Sequence, residues 1–262
     1  GLRQGEALAA LAWALVRDGD NAAAEDAAGQ AVDLLEPLGP TAELAAAYQI
    51  RAYLAMLDRD RDGAILSGEK AIELAAELRE REIEAAAEMV VGTALLVSDD
   101  FSGNIRLERS EAIAHQNGYE EIVALVHVSR GSALGEQYHF AEGEADLLKG
   151  LSFTGERELD MSGHYLASWL ALTRMFLGRW REAEDTARGL LAQENVATVS
   201  RIMALVALGR IMARRGDPDA QAILDEALVL AERTATLQRI APVRAARAAR
   251  AELAWFLGDL AG

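Results

Sequence analysis

The chain has 262 residues, a formal net charge of −16 and no cysteine, which excludes disulfide and thiolate chemistry and disfavours nucleic acid, whose phosphates need a net basic face. It is 51% hydrophobic but only 5% aromatic, with Ala and Leu dominant and Val, Ile and Thr rarely adjacent, so helices are favoured over strands. No apolar run reaches the roughly 18 residues of a membrane span, and the opening "GLRQGEALAALAWALVRDGD" lacks a basic leader and a cleavage site, so the expected class is cytoplasmic and all-α.

In chain order, helix-length stretches alternate with short polar breaks: "VRDGDNAAAEDA", "LDRDRDGAILSG", "VSDDFSGNIRLE", "GEQYHFAEGEAD", "FLGRWREAEDTA", "ARRGDPDAQAIL" and "FLGDLAG". These recur about every 40 residues, and a second set of breaks falls between them. The pattern predicts antiparallel hairpins over residues 2–38, 41–79, 81–117, 119–156, 158–194 and 197–235, then a final helix over 237–257. The whole is expected to be a single domain of residues 1–262, a right-handed solenoid cut from a longer protein.

Two columns support the register. Seven residues before each turn position stand Ala12, Ala52, Gly92, Gly131, Ala171, Gly209 and Ala251. A small side chain there lets the two helices of a hairpin approach to about 8–10 Å. Five residues after the turn position stand Ala24, Ala64, Asn104, Gly143, Ala183 and Gln221, mostly small, as the facing surface requires. Two residues after it, Phe101, Phe140 and Trp180 are placed to plug gaps between hairpins.

The second break, "DRDRDGAILSGE", matches a calcium loop letter by letter, with Asp58, Asp60, Asp62 and Glu69 at ligand positions. The repeat register contradicts that reading. A helix starting near Arg61 carries Glu69 about 10 Å along its axis from Asp62, so the carboxylates diverge. The aspartates instead suit a helix N-terminus, where free N–H groups and the dipole favour negative charge. No metal or other cofactor is expected.

Catalytic patterns are missing from the sequence. His115, His127, His139 and His164 form no i, i+4 pair and no HExxH; His127 is expected inside the array and His115 and His139 near helix ends. There is no phosphate-binding GxxxxGK loop and no GxSxG elbow. Glu142 and Glu144, and Glu156 and Glu158, are spaced i, i+2 and read as a solvated acidic face. Arg244, Arg247 and Arg250 form a stripe expected to pair with Asp225, Glu226 and Glu232 rather than with an anion. An enzyme is not expected.

The stretch "LGRWREAEDTARGLL", with Gly178, Trp180 and Ala183, resembles the tetratricopeptide repeat, although the period is nearer 40 than 34 and of the terminal prolines only Pro37 remains. The stretch from Arg214 to Asp259 is similar to the helical array that follows the nucleotide-binding module in MalT-like, LuxR-class transcription regulators. That resemblance implies a sensor region that receives an inducer or a partner protein and controls an ATP-dependent switch. A stand-alone scaffold for a peptide or helix, or a repeat region fused to a nucleotide cyclase, are the rival readings.

In such arrays the first helices line the concave face. Trp13, Gln49, Tyr53, Met56, Met89, Thr93, Tyr165, Met175, Met203 and Arg210 then form a largely apolar candidate groove, which is either open to a ligand or filled by its own neighbours. The last helix, Leu237 to Leu257, is expected to self-associate, because terminal repeats are normally capped by polar faces.

Overall fold

The computed structural model describes residues 1–18, 20–233 and 241–259, and among these there are α-helices and one short 3₁₀ turn but no strand. The helices are α1 (Leu2–Asp18), α2 (Asn21–Leu35), α3 (Ala42–Leu57), α4 (Arg61–Leu78), α5 (Arg81–Leu96), α6 (Gly103–Asn117) and α7 (Glu120–Glu136). They continue as α8 (Phe140–Gly155), α9 (Asp160–Phe176), α10 (Trp180–Leu191), α11 (Thr198–Arg215), α12 (Ala220–Arg233) and α13 (Ala241–Leu257). The chain divides within α7 into two compact units, residues 1–130 and 131–262.

Each first helix ends the same way. A backbone N–H reaches back five residues to the last turn, as in Asp60 to the Ala55 carbonyl (2.9 Å), His139 to Leu134 (2.9 Å), Arg179 to Arg174 (2.9 Å) and Asp259 to Ala254 (2.9 Å). This is the Schellman closure, and it needs a left-handed residue just before the donor. Arg59, Asp99, Tyr138, Gly178, Gly216 and Gly258 all occupy it, at φ between +61° and +77°. Each lies seven residues after a member of the small-residue column. Gly19 falls outside the described residues. The second helices start on caps where the sequence offers them: Asp20 accepts from Ala23 N–H (3.1 Å) and Asp60 from Gly63 N–H (3.0 Å).

The small column is buried at Ala12, Ala52, Gly92, Gly131, Ala171 and Gly209. In unit 2, Leu147 of α8 and Leu224 of α12 are fully buried against Gly131 and Gly209, each contributing about 1.5–3 kcal/mol through burial. Ala251 departs from the expectation and is exposed. Its register is right, seven before Gly258, but among the described residues no second helix follows to cover it.

The second column is corrected at two positions. Asn104 is half-buried and Gln221 exposed, while Gly103 and Ala220, one residue earlier, are the buried ones. The cause is local. Successive N–H groups at Gly103, Asn104 and Ile105 bond three residues back, as does Ala220 to Asp217 (3.2 Å). A turn of this kind closes in three residues where an α turn takes 3.6, so the facing position arrives one residue earlier.

In unit 1 the core runs through Ala28, Val32, Leu35, Ile50, Leu54, Ala71 and Val91. In unit 2 it centres on Leu166, Met175, Leu190, Ile202, Leu205 and Ile211. α5 and α11 are buried nearly all round, which sets how much of the first-helix face stays open.

Candidate interaction surfaces

The predicted groove positions are largely filled. Gln49, Met56, Met89, Thr93, Met175 and Met203 are buried; Trp13, Tyr53, Tyr165 and Arg210 keep partial exposure. In unit 1, Trp13 of α1 and Tyr53 of α3 meet at 5.4 Å between ring centroids, tilted by 46°. Burial raises the pKa of the Tyr53 phenol. Thr93 donates to the Met89 carbonyl (2.7 Å), turning its hydroxyl back into its own helix. In unit 2, the Ser168 hydroxyl donates to the Tyr165 carbonyl (2.7 Å) and lies 3.6 Å from the Met203 sulfur. Of the predicted groove, a Trp13–Tyr53 patch stays open in one unit, and Tyr165 and Arg210 in the other.

The calcium-like stretch is a hairpin corner. α4 begins at Arg61, Asp60 caps it, and Glu69 is bound by Arg106 of α6. Buried His127 and exposed His115 both approach Glu111 Oε1, at 3.9 and 4.0 Å, and His164 lies 2.7 Å from Gln193 Oε1.

Carboxylates and guanidiniums pair across helices. In unit 1, Glu84 and Glu88 of α5 are buried. Arg81 and Arg109 bind Glu84 at 2.6 and 3.0 Å, and Arg106 binds Glu88 at 3.0 Å. Burial raises the pKa of Glu88 despite these cations. In unit 2, Glu144 is not the solvated carboxylate that its spacing predicts. Burial alone would raise its pKa, but hydrogen bonds from Arg179 and Arg174 outweigh that and hold it low. Hydrogen bonds from Arg215 (2.5 Å) and then Arg188 (2.9 Å) likewise lower that of Glu184. Of the arginine stripe, Arg250 pairs with Asp225 (2.5 Å), whereas Arg247 is exposed and Glu226 is taken by Arg201 (2.6 Å).

A different surface lies at the hairpin corners of unit 2. Phe140, the first residue of α8, stacks on Phe176, the last of α9, at 4.7 Å and 7°. Tyr138 meets both edge-on, at 5.7 and 6.5 Å. Tyr138 is 75% exposed and Phe176 44%. From α11, Arg210 lies 5.6 Å from the Phe176 centroid and Arg214 lies 5.9 Å from that of Trp180. Both donate through Nε to Glu252 of α13, each at 2.8 Å. The sequence marked Phe140 and Trp180 by their place after the turn. Tyr138 and Phe176 were missed, although an aromatic residue at a left-handed turn position was a usable signal.

No family model matches the chain, and no curated protein matches it. Among solved structures it is similar to a Rap protein complexed with competence and sporulation factor, at a TM-score of 0.66 and 13% identity. The likeness covers 95% of this chain and 74% of that one. At that identity it establishes the fold: the chain is an all-helical array of tetratricopeptide-like hairpins.

Proposed function

We propose that this chain is a non-catalytic interaction region that binds a peptide or helix, and that it serves as the sensor region of an ATP-dependent, LuxR-class transcription regulator. The observation that carries the binding proposal is the Rap structure, in which a fold of this kind holds a bound factor. The chemistry agrees with a binding role. The buried carboxylates Glu84 and Glu88 and the half-buried Glu144 are matched to arginines.

On this proposal the partner, or a small inducer, docks where first-helix side chains remain open, at Trp13 and Tyr53 in one unit or at Tyr165 in the other. Repeat arrays couple each hairpin to its neighbours, so a ligand spanning several hairpins changes their packing. It shifts a nucleotide switch only by its differential affinity for the two states.

The test is selection of displayed peptides on the purified chain, followed by calorimetry with wild type and Tyr53→Ala. Binders that lose about tenfold in affinity on that substitution support the proposal. A selection that yields no binder overturns it. The regulator arm is tested on the full-length product: nucleotide hydrolysis that responds to the selected peptide supports the sensor, and an unaltered rate leaves a plain scaffold.

A further inference from the structure

We infer that the corner of unit 2 formed by Phe140, Phe176, Arg210, Arg214 and Glu252 is a docking surface for an acidic peptide segment that carries aromatic side chains. The inference rests on the reading of this array as peptide-binding, and names a second surface, in which Arg210 of the predicted groove takes part.

Charge complementarity selects the partner. In two other ion-pair networks of this unit the charges balance: Arg174 and Arg179 share Glu144 and Glu182, and Arg188 and Arg215 share Glu184 and Asp217. Arg210 and Arg214 share only Glu252 among the described residues. Within this trio one positive charge is in surplus, on a chain whose net charge is −16. A guanidinium has five N–H donors in a fixed fork, and among the described residues Nε of each is the one engaged with a protein acceptor. Glu252 holds both forks in place, so little side-chain freedom is lost when a carboxylate binds their Nη groups.

The aromatic rings supply the second half of the site. The Phe140–Phe176 stack, with Tyr138 at its edge, stands beside Arg210 rather than inside the core. Exposed aromatic surface next to arginine is the composition of interface anchors. A peptide with carboxylates flanking an aromatic residue satisfies both halves at once.

The test uses fluorescence anisotropy of a dye-labelled peptide of alternating glutamate and phenylalanine, with its glutamine–phenylalanine counterpart as control. Wild type is expected to bind the acidic peptide about tenfold more tightly than the control, with affinity falling as salt rises. The Arg210→Met, Arg214→Met double variant is expected to lose that preference. Phe176→Ala is expected to weaken both peptides. Glu252→Gln, which keeps an oxygen acceptor for the two Nε groups but removes the negative charge, is expected to strengthen the acidic one. Leu66→Ser, an exposed position on α4, serves as the reference for surface substitutions. Circular dichroism melts confirm that each variant is folded. Equal affinity for the two peptides, absence of binding at about 1 mM, or an unchanged preference in the double arginine variant overturns the inference. Loss on Tyr53→Ala with the arginine variant unaffected puts the peptide on the first-helix face, which sinks this surface and leaves the broader binding proposal standing. Self-association that vanishes in the arginine variant assigns the surface to a second copy and also overturns it.

Discussion

Gly92 and Gly103 meet backbone to backbone across the third hairpin. A β-carbon on Gly92 would sit 2.8 Å from the Gly103 carbonyl oxygen and 2.9 Å from Leu107. The contact is with main chain, which yields less readily than a flexible side chain. Gly92→Ala is therefore expected to destabilise the fold by about 1–3 kcal/mol. Urea unfolding should show a lower midpoint with an unchanged slope.

The same column makes contrasting forecasts at Ala171 and Ala251. Ala171 is fully buried, and a leucine there has to displace its neighbours, at about 1–3 kcal/mol. Ala251 occupies the equivalent position on α13 and is exposed. Ala251→Leu is expected to change stability by less than about 0.5 kcal/mol. Thermal melts of the two variants side by side check the difference.

At the calcium-like corner, Asp60 and Asp62 should differ although the motif treats them alike. Asp60 caps α4 through the Gly63 N–H, so Asp60→Ala is expected to lose about 1 kcal/mol. Asp62 is exposed, and Asp62→Ala should be worth a few tenths through the helix dipole alone. Added calcium should leave the wild-type melting temperature where it is, because Glu69 is held by Arg106.

Acid should weaken the arginine clamps of unit 2 in a defined order of cause. The pKa of Glu184 is lowered in the folded chain, first by the Arg215 hydrogen bond. A depressed carboxylate contributes stability that is present above its unfolded value and is lost as pH falls through its folded value. Glu184→Gln is expected to melt below wild type at pH 7. The two should converge as pH drops below about 4, the ordinary glutamate range. Melting curves over that span test it; a difference that persists in acid would mean that the clamp acts through packing rather than charge.

The hairpins were legible because their signals are local. A left-handed closing residue follows its small-column partner by seven, and caps such as Asp20 and Asp60 stand beside the N–H groups they serve. The slipped register at Gly103 and Ala220 was less visible, since Asn104 and Gln221 also fit the spacing. Tight three-residue turns at the helix starts, which the composition does not announce, decided it. The candidate groove was legible only as a register. That Tyr53 keeps partial exposure while Met56 on the same helix is buried depends on how closely α1 and α5 approach α3.

The amino-acid sequence by itself determined an all-helical chain, a period near 40 and the hairpin corners, because propensity, caps and turn residues act over a few positions. Tertiary structure alone decided which first-helix side chains stay open and which guanidinium meets which carboxylate. Arg210 and Glu252 stand 42 residues apart, and Phe140 and Phe176 lie on different hairpins. Their partnership follows from how hairpins stack, and stacking is set by the summed packing of many small contacts rather than by any short stretch of chain.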